Sequence, residues 1–72
     1  MITGEQMKAA RMLLNWDVST LARTASVDEA TVLAMEAGND APVEAQTLIQ
    51  ETLEAAGVEF PDRETVRLKT AP

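Results

Sequence analysis

Apolar positions along the chain fall into helical stripes, followed by one short alternating segment. Over 43–56, Ala45, Leu48, Ile49, Thr52, Leu53 and Ala56 recur at i, i+3, i+4, i+7, i+8 and i+11. That spacing puts them on one face of an α-helix. Glu44, Gln50, Glu51 and Glu54 point mostly outward, Pro42 suits the helix start, and Gly57 is the expected stop. Nearer the N-terminus, Met7, Ala10, Arg11 and Leu14 share one side, with Ala9, Leu13 and Trp16 close to it. This predicts a helix over 4–15. Thr3 and Gln6 form the T-x-x-Q pattern of a capping box at its start. Trp16 is expected to pack over the joint between the first and second helices, because an indole buries a large apolar area.

The stretch 17–38 organises the rest. It predicts a helix over 18–25 with Asp17 as N-cap, and a helix over 29–37 with Asp28 as N-cap and Gly38 as the stop. Leu21, Ala22, Ala25, Val27, Val32 and Met35 are spaced so that the two helices bury one side against each other, and the small Ala22 permits close approach. Together they form a helix-turn-helix unit. Ser26 occupies the turn and is predicted in or near the left-handed region, at a cost on the order of 1 kcal/mol relative to Gly.

The C-terminal segment alternates instead. Val58-Glu59-Phe60 and Val66-Arg67-Leu68, separated by the turn residues Pro61 and Asp62, predict strands over 58–60 and 66–68. A lone hairpin is marginal in water, so it must pack on the helices or pair with another chain. Phe60 is the expected buried anchor. Val58, Phe60, Val66 and Leu68 are the candidate hairpin and dimer residues, and an open strand edge offers a route to a two-fold dimer. Lys69 to Pro72 are expected to be disordered. The expected architecture is thus mainly α, a compact four-helix helix-turn-helix domain over 1–72 with a small C-terminal β-hairpin.

Charge changes the picture. The 72 residues carry a net charge of −6. From Thr24 to Asp62 there is no Lys or Arg, while Asp28, Glu29, Glu36, Asp40, Glu44, Glu51, Glu54, Glu59 and Asp62 all fall there. The cations are Lys8, Arg11, Arg23, Arg63, Arg67 and Lys69. Such a balance argues against generic binding to nucleic acid or to anionic membranes. No His, Cys or Tyr is present, and Ser19, Thr20 and Ser26 have no plausible base beside them. No catalytic residue, metal site, cofactor or small-molecule substrate is therefore expected, and no enzyme activity. No run approaches the length of a membrane span.

The residues WDVSTLARTASVDEATVLAMEAG, from Trp16 to Gly38, resemble the Cro/C1-type (XRE) family of helix-turn-helix regulators. The resemblance lies in an N-capped helix, a Leu-Ala pair, a small turn residue, Val, a second N-cap, then Ala-Thr-Val and a Glu before Gly. Upstream, ITGEQMKAARMLLNW is similar to that family's first helix, and downstream LEAAGVEF to the end of its last helix. The resemblance implies a lambda-repressor-like fold, a bacterial cytoplasmic setting and a dimeric transcriptional regulator whose second central helix reads the major groove. The matching recognition-helix positions are Asp28, Glu29, Ala30, Thr31, Leu33 and Ala34. None is basic or an amide, although Glu29 can accept from cytosine. Lys8, Arg11 and Arg23 are candidate phosphate contacts, with Lys8 and Arg11 read as exposed. Helix N-termini can also bind phosphate, but Asp17 and Asp28 are expected to fill those sites with their own carboxylates.

Three readings follow. In the first, the acidic recognition face docks on a basic DNA-binding regulator, as an anti-activator or partial DNA mimic, with weak or no DNA binding. In the second, the chain is a conventional dimeric, sequence-specific DNA-binding regulator. In the third, the hairpin and fourth helix assemble a larger complex.

Overall fold

The computed structural model describes residues 2–69. Four helices precede an antiparallel strand pair: α1 Gly4–Leu13, α2 Val18–Ala25, α3 Glu29–Glu36, α4 Val43–Ala55, β1 Val58–Glu59 and β2 Arg67–Leu68. The mainly helical fold with a C-terminal hairpin is the one the hydrophobic pattern predicts.

Each boundary has a local cause. Both halves of the capping box form at α1, with Gln6 N–H donating to Thr3 Oγ1 at 3.1 Å and Thr3 N–H to Gln6 Oε1 at 2.9 Å. The helix stops earlier than predicted because Asn15 takes φ 58° and turns the chain back. Trp16 N–H then closes on Arg11 O at 3.0 Å. Asp17 caps α2 by accepting from Thr20 N–H at 2.8 Å. Ser26 lies at φ 61°, ψ 42°, the left-handed conformation expected of it. Asp28 departs from expectation. It precedes α3 but makes no side-chain cap bond; its carbonyl, not its carboxylate, takes the Thr31 and Val32 N–H groups. Both α3 and α4 end one residue before the predicted point, at cap residues Ala37 and Ala56, each followed by a glycine with positive φ.

The core draws on every helix. Met7 and Ala10 of α1, Leu21, Ala22 and Ala25 of α2, Val32 of α3, Ile49 and Leu53 of α4, and Val58 of β1 are buried together. Alanines dominate the α2 contribution, so α3 and α4 approach it closely. Gly4 marks another close approach: a β-carbon there would overlap the Met35 carbonyl oxygen and sit 2.9 Å from that of Glu36.

Two findings concern the hairpin. Its buried anchor is Val58, whereas Phe60 is only half-buried, because Val58 faces α4 and the core while Phe60 lies at the turn. The strands are shorter than predicted, pairing Val58 with Leu68 and Glu59 with Arg67. Lys69, expected in the disordered tail, donates its N–H to Gly57 O at 2.6 Å; residues 70–72 lie outside the described residues. The hairpin is pinned by Gln6, a buried polar side chain whose Nε2 donates to the Asp62 and Thr65 carbonyl oxygens. Asp62 shapes the turn, its Oδ1 accepting from the Glu64 and Thr65 N–H groups at 2.8 Å. Those bonds hold the Asp62 carboxyl below its usual range. Among the described residues no helix is long and apolar enough to cross a membrane.

Candidate functional site

The α2–α3 pair presents the face singled out from sequence. Val32 is buried and Met35 half-buried against the core, which turns the opposite side of α3 outward. Asp28, Glu29, Ala30 and Leu33 are exposed; Thr31 and Ala34 are half-buried. Leu33 leaves 56% of its surface in water, one helical turn after Glu29. The face therefore combines two carboxylates with a bare aliphatic side chain.

The three candidate cations behave differently from one another. Lys8 and Arg23 are exposed. Arg11 is not, which corrects the sequence reading. Its Nε donates to Glu36 Oε2 at 2.8 Å, its Nη2 to Glu36 Oε1 at 3.1 Å, and its Nη1 to the Trp16 carbonyl oxygen at 2.9 Å. The side chains of Arg11 and Glu36 are 12% and 8% exposed. The hydrogen bonding to Glu36 raises the already high Arg11 pKa, so the guanidinium stays charged at any relevant pH. A fork-to-fork pair of this kind is rigid and directional. It clamps the C-terminal half of α1 to the end of α3. The physical reason was visible in the spacing: Arg11 shares a side with Met7, Ala10 and Leu14, so it points inward. Its acceptor, 25 residues away, was not visible.

The N-terminus of α2 is closed by Asp17, whose carboxyl is held below its usual range by Thr20, through its hydroxyl and its N–H. At α3 the first-turn N–H groups of Glu29 and Ala30 are not taken up by the Asp28 carboxylate. The expectation that both helix N-termini carry their own anion thus holds for one of them only.

No known family model and no curated protein matches this chain.

Of the hairpin candidates, Val58 belongs to the core, Phe60 and Val66 are half-buried against it, and Leu68 is 46% exposed. Val66 lines an open groove of about 920 Å³ between the start of α1, the end of α3 and the hairpin turn. Gln6 was read as a cap; its second role, carrying the hairpin, had no signal in the sequence because the groups it binds are main-chain carbonyls.

Proposed function

We propose that this chain regulates transcription in the bacterial cytoplasm by contacting another protein, with the outer face of α2–α3 docking on a basic surface of a DNA-binding regulator. The transcriptional setting comes from the resemblance to XRE regulators. The mode of action is supported by one observation above the others: Arg11, the cation expected from the sequence to reach phosphate, points inward and is closed onto Glu36, while Asp28 and Glu29 stand exposed beside Leu33. DNA affinity comes largely from Lys and Arg that displace counterions from phosphates. A face that offers carboxylates and an aliphatic side chain instead complements a positive protein surface with an apolar centre.

Two measurements test this. Wild-type protein titrated against mixed-sequence duplex DNA at about 50 mM salt, where electrostatic attraction is strong, is expected to show no binding. Micromolar affinity with a steep salt slope overturns the proposal. In native-cell extract, wild-type bait is expected to retain a basic regulator that the Asp28→Lys, Glu29→Lys double variant loses. Equal retention by both baits also counts against it.

The alternative, a conventional dimeric DNA-binding regulator, is favoured by the uncapped start of α3. Its free first-turn N–H groups are suited to a phosphate. It would then read DNA through Glu29 and Thr31, with Lys8 and Arg23 on the backbone. The same DNA titration separates the two readings.

A further inference from the structure

Helix α3 is apolar on both of its sides. On the inner side Val32 is buried and Met35 half-buried. On the outer side Ala30, Leu33, Ala34 and Ala37 recur at i, i+3, i+4 and i+7. The cap residue Ala37 keeps helical angles, φ −81° and ψ −2°, so all four fall on one line. Ala30, Leu33 and Ala37 are exposed and Ala34 is half-buried. No polar side chain interrupts them: Thr31 is half-buried on the flank, and Glu36 is closed on Arg11. A helix that is apolar all round is ordinarily buried all round. Here Leu33 leaves 56% of its surface in water, whereas its inner neighbour Val32 leaves 0%.

Charge is set at one end of this line. Asp28 and Glu29 stand exposed at its start, and α3 itself carries no Lys or Arg. The exposed Arg23 belongs to α2, on the side away from its buried Leu21, Ala22 and Ala25. Resting on the docking of this face on a basic regulator, we propose that the partner's docking element is a single basic amphipathic helix laid lengthwise along α3. Its apolar side chains lie over Ala30, Ala34 and Ala37, and its Lys or Arg beside Asp28 and Glu29.

Shape and charge select that occupant. The alanines leave shallow hollows around Leu33, and larger side chains of a second helix fit them as ridges fit grooves. From Ala30 to Ala37 the line rises about 10 Å, which matches about two turns of a docked helix. Lys and Arg are most favourable in the last turn of a helix. The last turn of the partner therefore lies at the start of α3, and the two helices run antiparallel. A second copy fits worse. Another α3 in the same place would bring another Asp28, Glu29 and Asp40 to a stretch without Lys or Arg between Thr24 and Asp62, so like charge opposes it. Two turns of helix bury less than the roughly 800 Å² per partner of a standard interface, so the dissociation constant is micromolar.

Three labelled synthetic peptides of about 18 residues, long enough to hold a helix, serve as probes. One carries Leu at i, i+3, i+4 and i+7 with Lys elsewhere, most of it toward the C-terminus. The second has Glu in place of Lys. The third has the composition of the first, scrambled to break the stripe. Binding to the full chain is read by fluorescence anisotropy at about 150 mM salt, which damps non-specific attraction. Wild type is expected to bind the striped Lys peptide with micromolar affinity, the scrambled one at least about tenfold more weakly, and the Glu peptide not at all. Leu33→Gln, and Ala30→Gln combined with Ala37→Gln, leave the charge unchanged and should each weaken the striped peptide at least about tenfold. Thr47→Gln, exposed on α4, should not. Circular dichroism checks that each variant is folded. The docked helix is overturned if striped and scrambled peptides bind alike, if the folded Gln variants bind as wild type does, or if no peptide binds. In the first two cases, loss of binding by the Asp28→Lys, Glu29→Lys double variant leaves docking by charge standing. If that variant binds as wild type does, or the Glu peptide binds as well as the Lys peptide, the docking reading falls too. A wild-type dimer, seen by sedimentation up to about 1 mM and dissociated by Leu33→Gln, also overturns the proposal, because a second copy then covers the face.

Discussion

Replacing Gln6 probes how the hairpin is attached to the helices. The side chain is 3% exposed. Its Oε1 accepts from Thr3 N–H, and its Nε2 donates to the carbonyl oxygens of Asp62 and Thr65, the latter at 3.1 Å. Each bond contributes a net of about 1 kcal/mol. Asp62 and Thr65 are exposed, so their carbonyls can turn to water when the amide is lost. Gln6→Ala removes three such bonds and should therefore cost about 3 kcal/mol, against a total of about 4–11 kcal/mol for a domain of this size. Gln6→Glu should be worse near neutral pH, since it sets a carboxylate against two carbonyl oxygens. Such an acid is held protonated by the fold, which raises its pKa. Its penalty relative to wild type should then shrink as pH falls and grow as pH rises through the carboxyl range. Urea unfolding followed by circular dichroism gives the total. Hydrogen exchange at the Lys69 amide, bonded to Gly57 O, reports the hairpin and should lose protection before the helices do. The latch account is refuted if Gln6→Ala lies within about 0.5 kcal/mol of wild type with Lys69 protection intact. It is also refuted if the Gln6→Glu penalty is smaller at neutral pH than in acid.

Two further outcomes test the ends of α2 and the hairpin turn. Ser26→Gly should stabilise by about 0.5–1 kcal/mol, because φ 61° strains an L-residue and not glycine; thermal denaturation measures it. Asp17 and Asp62 both titrate below the usual carboxyl value of 3.8 in the folded chain. Their contribution is therefore present above that value and lost as pH falls through the folded pKa, so the midpoint temperature should drop in acid. Asp17→Asn, which keeps an acceptor for Thr20 but cannot titrate, should flatten part of that drop.

The helices were legible because their causes are local. The i, i+3, i+4 stripe of α4, the Thr3–Gln6 capping box and the strained Ser26 turn each depend on residues within a few positions of one another. What stayed hidden depends on residues far apart. Gly4 reads as an ordinary helix start, yet its missing β-carbon is what lets α1 lie on the end of α3. Gln6 reads as a cap, yet it also holds a turn almost sixty residues later. Asp28 has the residue type and position of an N-cap, but residue type does not dictate where the carboxylate goes, and here it faces solvent. For the candidate site, exposure of Asp28, Glu29, Ala30 and Leu33 followed from the helical phase of α3, whereas the fate of Arg11 depended on an acid from another helix.

That fate links the fold to the proposed function. A half-buried guanidinium needs an anion, and Glu36 supplies it through paired bonds. Breaking such a pair to reach a phosphate would leave Glu36, 8% exposed, without its counterion, at a cost of about 3 kcal/mol or more. One phosphate contact at physiological salt returns less than that. Arg11 is thus better used in joining α1 to α3 than in gripping DNA. With it committed, no cation from α3 itself replaces it, since the chain has none between Thr24 and Asp62. The same ion pair that fixes the presentation of α3 therefore leaves its outer surface anionic and partly aliphatic, the surface on which the proposed docking to a basic protein depends.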